Sequence, residues 1–288
     1  MSELPAKSKD VFAHHPRDWR DNHYVYPVIS RRSRGLSIGV NLNPDRACNF
    51  DCIYCQVDRT LPVTVRDVDI DRLKSEIDDM LLRATDGSIF DHTGFGSVPA
   101  ELRRVNDVAF SGDGEPTTCP EFAAAVETVA NGLRIFELAD VKIVLITDAC
   151  YLKRENVKRG LAMMDESNGE IWAKLDVGTE AYYKLVNRPN HTLDHVIDNI
   201  IDAARVRPIC IQSLFLRIDG RGPDEAEIKA YCERLNHIVR EGGQIKEVQV
   251  YTVSRDPAET YVTALSDEEK NRIVETAKSL TKLNVVAY

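Results

Sequence analysis

Leu36-Ser37-Ile38-Gly39-Val40-Asn41-Leu42 is an apolar run of strand length, and Asn43-Pro44-Asp45-Arg46 separates it from Ala47-Cys48-Asn49-Phe50-Asp51-Cys52-Ile53-Tyr54-Cys55. Pro44 and Asp45 are turn residues that end the strand, so the three cysteines, spaced C-x3-C-x2-C, fall on a loop at its C-terminal end. Outward from this stretch the pattern repeats. Apolar runs recur at Val105 to Phe110, Val141 to Thr147, Ile171 to Val177, Ile209 to Leu216 and Val248 to Val253. Between them lie helical stripes, such as Leu73, Ile77, Met80 and Leu81, or Ile228, Tyr231, Cys232, Leu235, Ile238 and Val239. Ser266 with Glu269 reads as a capping box opening a last helix through Ile273, Val274, Ala277 and Leu280. Strands that alternate with helices predict an α/β fold with a parallel sheet. Six such units either close partly into a barrel or lie open as a doubly wound sheet. Periodicity does not choose between the two, but both put function at the strands' C-terminal ends.

The rest of the chain fits one large domain. Its 288 residues lie within the range of a single α/β barrel, and 43% hydrophobic with 29% charged residues is ordinary globular composition. Two stretches break the alternation: residues 1–35, read as an N-terminal extension, and a loop insertion at about 85–104, where Gly87, Gly94, Gly96 and Pro99 interrupt any helix. No run reaches the about 18 apolar residues of a membrane span. The start carries Lys7, Lys9, Asp10 and two histidines where a signal peptide needs an apolar core. A cytoplasmic protein without membrane contact is expected. The net charge of -9 disfavours a general nucleic-acid binder, which needs a cationic surface. Arg31, Arg32 and Arg34 form the densest basic run and read as a solvated loop.

Seven cysteines is an odd count, and three within eight residues is too tight for an extracellular disulfide framework. A metal site in a reducing compartment fits better. Thiolates also bind zinc, but a structural zinc needs four ligands and the fourth would come from afar. His191 and His195 stand four apart without the glutamate of a catalytic zinc helix, so they read as exposed or helix-capping. Iron–sulfur clusters are held by cysteine thiolates, usually four, so three ligands leave one iron open for chemistry. Spacing alone leaves zinc and iron–sulfur both standing. Three merely buried thiols would sit poorly among the polar Asn49, Asp51 and Gln56.

The stretch Ala47 to Cys55 resembles the signature of the radical S-adenosylmethionine superfamily, in which an aromatic residue, here Tyr54, precedes the last cysteine. Ser111-Gly112-Asp113-Gly114-Glu115-Pro116-Thr117 is similar to the superfamily's Gly-Gly-Glu-Pro turn, and it follows the second strand as it should. Within that superfamily, Leu36 to Arg59, Phe110 to Pro120 and Val248 to Glu259 resemble the branch that includes the wyosine-forming tRNA enzymes. One departure is plain: archaeal members of that branch carry further cysteines upstream, and none precedes Cys48 here.

The resemblance implies a partial (β/α)6 barrel with outer helices. It also implies a [4Fe-4S] cluster on Cys48, Cys52 and Cys55 whose open iron takes the amino and carboxylate groups of S-adenosylmethionine. Reductive cleavage of that cofactor to a 5′-deoxyadenosyl radical follows, with a low-potential donor such as a flavodoxin or ferredoxin. Around the cofactor, Gly112 and Gly114 let backbone approach a ligand, and Asp113 and Glu115 accept from the methionine ammonium. Asp176, ahead of an N-cap at Thr179, accepts from ribose hydroxyls, with Thr147 and Asp148 in the same place one strand earlier. Gln212 and Ser213 interrupt an apolar strand as lining or core polar residues. Tyr251 to Val253 present backbone to adenine, with Arg255 on the following loop. Cys119 and Cys150 lie toward the active face, while Cys210 and Cys232 read as buried, so four ligands for a second cluster are not expected.

No catalytic side chain beyond these is assigned. The substrate is a modified RNA base, which the acidity disfavours, or a small molecule or peptide. Its contacts are expected in residues 1–35, in 85–104 and toward the C-terminus. The reading from another class is a non-catalytic zinc or iron–sulfur binding domain, which would have no use for the Gly-Glu-Pro turn or Asp176.

Overall fold

A computed structural model describes residues 19–288 except 31, 61, 62, 64, 66, 93 and 256. Arg31 and the first half of the expected N-terminal extension therefore lie outside the described residues. Two units emerge: residues up to Ala47 with Val63–Leu145 and Lys158–Glu170, and Cys48–Pro62 with Ile146–Val157 and Ile171–Tyr288.

In the first unit, strands β1 (Val25–Ser30), β2 (Gly35–Val40), β3 (Val105–Phe110) and β4 (Lys142–Thr147) lie side by side in that order. β2, β3 and β4 are parallel, as the alternation predicts. β1 is antiparallel to β2 and belongs to the stretch read as an extension. Pro27 removes a ladder donor, and a proline inside a run argues for an edge strand, which is where β1 sits. Every residue of β2 is buried, so this strand shows no polar alternation.

Helices α1 (Ile70–Asp86) and α2 (Phe122–Ile135) cover the unit's sheet, and α3 (Glu155–Asp165) follows β4. The α1 stripe, Leu73, Ile77, Met80 and Leu81, is fully buried. Asp69 caps α1 by accepting from Arg72 N at 3.1 Å, and Gly87 closes it in the left-handed region at φ 82. Glu76 on the same helix is buried and accepts from three successive backbone amides, His23 and Tyr24 at 2.8 Å and Val25 at 3.1 Å. One carboxylate thereby fixes where β1 begins. The segment read as a loop insertion is packed: Ile89, Phe90, Phe95, Val98 and Leu102 are buried, with short 3-10 turns at Ser88–Asp91 and Ala100–Leu102. Arg32, read as solvated, is half-buried and lies near the buried Asp107, whose carboxyl is pushed up by burial and held back by Ser37, Ser33 and Arg32.

In the second unit the order is β5 (Gly169–Lys174), β6 (Ile209–Leu214), β8 (Ile245–Tyr251) and β10 (Val285–Ala287), all parallel. β7 (Leu216–Ile218) and β9 (Val262–Ala264) form a separate antiparallel ribbon. Helices α4 (Glu180–Val186), α5 (Leu193–Val206), α6 (Glu225–Arg240) and α7 (Asp267–Thr281) are each N-capped by a side chain, from Thr179, Thr192, Asp224 and Ser266. The capping box of Ser266 and Glu269 is present as expected. β5 ends at Lys174, so Asp176 stands two residues beyond the strand instead of on it.

Candidate active site

The cysteine loop opens the second unit and is held by backbone on both sides. α4 ends at Val186, and a helix end leaves carbonyls without partners. The carbonyl of Val186 accepts from Ile53 N at 3.0 Å, and that of Asn187 accepts from Asp51 N at 3.0 Å. Asn190 N donates back to Asn49 O at 3.1 Å, and on the other side Ala258 N donates to Cys55 O at 3.0 Å. Phe50 packs edge-on against Tyr183 at 5.6 Å. Arg188 ties the same loop outward, 3.5 Å from Asp51 and 2.7 Å from Glu259. Of the three thiols, Cys52 is buried, and Cys48 and Cys55 are half-buried.

Behind Cys52 lies a polar network. Tyr54 donates its hydroxyl to Asp176 Oδ2. The Asn187 amide donates to Asp176 Oδ2 at 2.8 Å and reaches Cys52 Sγ at 3.5 Å, while Leu214 N donates to Asp176 Oδ1 at 2.9 Å. Lys174 places its ammonium 3.9 Å from Asp176 Oδ2 and 4.6 Å from the Tyr54 ring centroid.

Electrostatics follow from this packing. Burial pushes the Cys52 thiol up to about 11, against the pull of Lys174 and the hydrogen bonds from Tyr54 and Asn187. Burial alone would lower Lys174, but Asp176, Tyr251, Cys52 and Cys55 leave it raised. Burial likewise opposes the charge on Arg59, which Cys55 and Cys48 together raise. Two cations thus act on the thiols, Lys174 on Cys52 and Cys55 and Arg59 on Cys55 and Cys48. Tyr183 Oη and Asn187 Oδ1 are buried beside them with no hydrogen-bond partner among the described residues. Such a cationic, partly dry surround suits three anionic thiolates and so fits an iron–sulfur cluster.

Asp176 was expected to meet ribose, and the structure places it among donors of the protein itself. Its side chain has 0% exposure, and its oxygens already accept from Tyr54, Asn187 and Leu214. The carboxylate is occupied in holding the loop's tyrosine. Thr147 is also buried and turned to its own loop, where its hydroxyl accepts from Ala149 N at 2.9 Å. Asp148 accepts from Cys150 N at 2.8 Å and Asn49 at 3.0 Å.

The two polar residues of β6 separate by face. Ser213 meets Tyr231 of α6 at 2.6 Å, and Gln212 on the opposite face donates to Gln249 Oε1 at 3.2 Å. Tyr251 ends β8 half-buried, with its carbonyl accepting from Phe215 N at 2.9 Å, and Val253 lies half-buried on the loop beyond. His191 and His195, expected to be exposed or helix-capping, are half-buried and stack at 4.6 Å, with His195 bonded to Cys150 O at 2.9 Å, while Thr192 caps α5. Cys119, Cys150, Cys210 and Cys232 are each buried.

In the first unit the Gly-Glu-Pro turn packs onto the segment leading to the cysteines. A Cβ on Gly112 would overlap the Asn41 side chain, and one on Gly114 the carbonyl of Ala47. The close approach expected of these glycines is therefore to the protein's own chain. Glu115 N donates to Ala47 O at 3.0 Å, and its buried carboxylate caps the next turn by accepting from Thr117 N at 3.0 Å. Asp113 accepts from Asn41 Nδ2 at 2.8 Å and donates its amide back to Asn41 Oδ1 at 3.1 Å.

Lys174, Asn187, Tyr183 and Arg59 are absent from the residues read out of the sequence. Lys174 carried a usable signal, being the cation inside the apolar run Ile171 to Val177. Asn187 carried none, because it is 135 residues from Cys52.

Comparison with known proteins agrees with this arrangement. The chain is 31% identical over 176 residues to a UPF0026 protein of Methanocaldococcus jannaschii, covering 61% of this chain and 46% of that protein. It is 24% identical over 254 residues to a protein called GTPase Obg of Brachyspira hyodysenteriae, covering 85% of this chain and 32% of that protein. The chain thus spans less than half the length of these two relatives. A UPF0026 protein of Helicobacter pylori is 22% identical, covering 84% of this chain and 70% of its own.

Among solved structures, Streptococcus suis SuiB bound to S-adenosylmethionine matches with a TM-score of 0.58 at 13% identity, covering 90% of this chain and 52% of that one. TYW1 with a lysine-pyruvate adduct matches with a TM-score of 0.51 at 11% identity, covering 86% of this chain and 74% of that one. These likenesses show the fold, an α/β partial barrel. A family model for the superfamily of radical SAM enzymes matches residues 42–235, which take in the cysteine loop, the Gly-Glu-Pro turn and the Lys174 to Asn187 network. With two thirds of its length covered by that match, the chain belongs to the Radical SAM superfamily.

Proposed function

We propose that Cys48, Cys52 and Cys55 hold a [4Fe-4S] cluster and that the chain cleaves S-adenosylmethionine reductively to act on a further substrate. The observation that carries this reading is the clasped loop with its three thiols facing Lys174 and Arg59. Thiolates of a cluster are anionic, and a site prepared with cations lowers the cost of gathering them. When bound, the cluster would supply the electron for cleavage, fed by a flavodoxin- or ferredoxin-like donor.

The protein's own work is to orient and enclose the cofactor. Tyr54 walls the thiols on the side of Asp176. Asp113, on a turn whose Gly112 and Gly114 seat it against Asn41 and Ala47, supplies an acceptor for an ammonium group, and Glu115 caps that turn. Gln212 within β6, and Tyr251 and Val253 at and just past the end of β8, are assigned to the nucleoside, and Thr147 shapes the loop after β4. Among the described residues no helix is long and apolar enough to cross a membrane.

Anaerobic reconstitution with iron and sulfide tests the reading. About four irons and four sulfides per chain are expected, lost on changing any of the three cysteines to alanine. S-adenosylmethionine should alter the reduced cluster's electron paramagnetic resonance spectrum. Zinc without sulfide in protein purified without oxygen would overturn it, and an unchanged spectrum at saturating cofactor would favour a binding domain.

A further inference from the structure

Asn187 is buried to 1% exposure at the end of α4, and its amide nitrogen has three neighbours: Asp176 Oδ2 at 2.8 Å, Tyr54 Oη at 3.4 Å and Cys52 Sγ at 3.5 Å. A side-chain amide has two hydrogens. Asp176, charged and nearest, takes one. The second lies between Tyr54 Oη and Cys52 Sγ, and these acceptors are unequal. Tyr54 Oη is a phenol oxygen whose own hydrogen is donated to Asp176 Oδ2. A Cys52 sulfur bonded to iron is a thiolate, and hydrogen bonds to charged acceptors are the stronger ones.

The amide is also fixed in place. Asn187 N donates to Tyr183 O at 2.9 Å, and its carbonyl accepts from Asp51 N at 3.0 Å, so its backbone is tied to the helix behind and the cysteine loop ahead.

We propose that Asn187 is a positioning residue that donates an N–H···S hydrogen bond to Cys52 and thereby raises the reduction potential of the cluster Cys52 helps to hold. This rests on the cluster reading above. Reduction adds negative charge to the cluster and its sulfurs, so a donor aimed at one sulfur stabilises the reduced form more than the oxidised one. Hydrogen bonds to the sulfurs are among the determinants of cluster potential. The effect is strong where water does not compete, and Cys52, Tyr54, Asp176 and Asn187 are all buried.

The test compares reconstituted parent, Asn187→Leu and Asn187→Asp by iron and sulfide content and by potentiometric titration of the reduced cluster's spin signal. Both variants are expected to load the cluster and titrate at more negative potential. At the parent's midpoint their reduced signal should fall by roughly five-fold, with Asp, which adds a negative charge, falling further than Leu. Unchanged midpoints in loaded variants overturn the proposal.

Should neither variant load, parent protein labelled with 15N in the asparagine side-chain amides decides. A hyperfine coupling from the labelled nitrogen and its exchangeable proton to the reduced cluster supports the bond, and its absence overturns it. A parent that binds no iron and sulfide rejects the cluster reading itself, and the inference falls with it. A loaded parent with unshifted variants rejects the inference alone.

Discussion

Lys174 and Asp176 stand two residues apart at the end of β5, and their side chains meet at 3.9 Å with the Tyr54 ring beside the ammonium. β5 ends at Lys174 and Asp176 follows two residues later, so the strand's end and the chain leaving it deliver a cation and an anion together behind the cysteine loop. The anion holds Tyr54 through its hydroxyl, while the cation lies under the influence of Cys52 and Cys55.

That environment makes Cys52 slow to react in metal-free protein. Burial raises its thiol to about 11 from an ordinary 9.0, so below the lower value it stays protonated and the thiolate appears only as pH rises toward the higher one. At pH 8 its alkylation, followed by peptide mass spectrometry, should be roughly 100-fold slower than that of an ordinary thiol, rising about ten-fold per pH unit through pH 10. Labelling as fast as that of a small-molecule thiol at pH 8 would contradict the buried network.

Gly114→Ala should disturb the chain that leads into the cysteine loop. The added methyl would overlap the carbonyl of Ala47, the residue before Cys48, where Glu115 N already bonds at 3.0 Å. Backbone against backbone cannot relax by rotamer change, so a loss of about 2–3 kcal/mol in unfolding free energy is expected. Iron content after reconstitution should fall as well. A variant with parental stability and iron would show that the turn is free to move.

Glu76→Gln tests how β1 is attached. The carboxylate accepts from His23, Tyr24 and Val25 amides and from Arg72 Nε at 2.9 Å. Glutamine keeps the shape but puts an NH2 group against N–H donors and leaves buried amides unpaired, at a cost of about 2–4 kcal/mol. Chemical denaturation measures it, and a shift under 0.5 kcal/mol would mean that water replaces the carboxylate.

What the sequence discloses and what it hides divide along contact range. The Cys48 to Cys55 spacing and the six apolar runs are local, so the cysteine loop, β2 to β6 and β8 could be read directly, and capping at Thr179 and Ser266 followed from residue chemistry. β1 escaped because Pro27 breaks its pattern, and β10, at three residues, is too short to show a period. Gln212 and Ser213 were recognised as odd in an apolar strand, but only partners 37 and 18 residues away separate their roles. Asn187 could not be found because its partner Cys52 lies 135 residues away.

Asp176→Asn distinguishes ribose recognition from support of the loop. The carboxylate accepts from Tyr54, Asn187 and Leu214, so asparagine at this position must turn an NH2 group toward at least one donor. Breaking such a buried charge-assisted set should cost about 2–3 kcal/mol in stability. It would also free Tyr54 and leave Lys174 without its carboxylate partner. Because the damage is to the loop, the variant should lose affinity for free methionine and for S-adenosylmethionine by similar factors, in spectroscopic titrations of the reduced cluster. A direct ribose contact predicts otherwise, since methionine has no ribose. Weakening confined to S-adenosylmethionine, with parental stability, would return Asp176 to the nucleoside and remove it from the support of Tyr54.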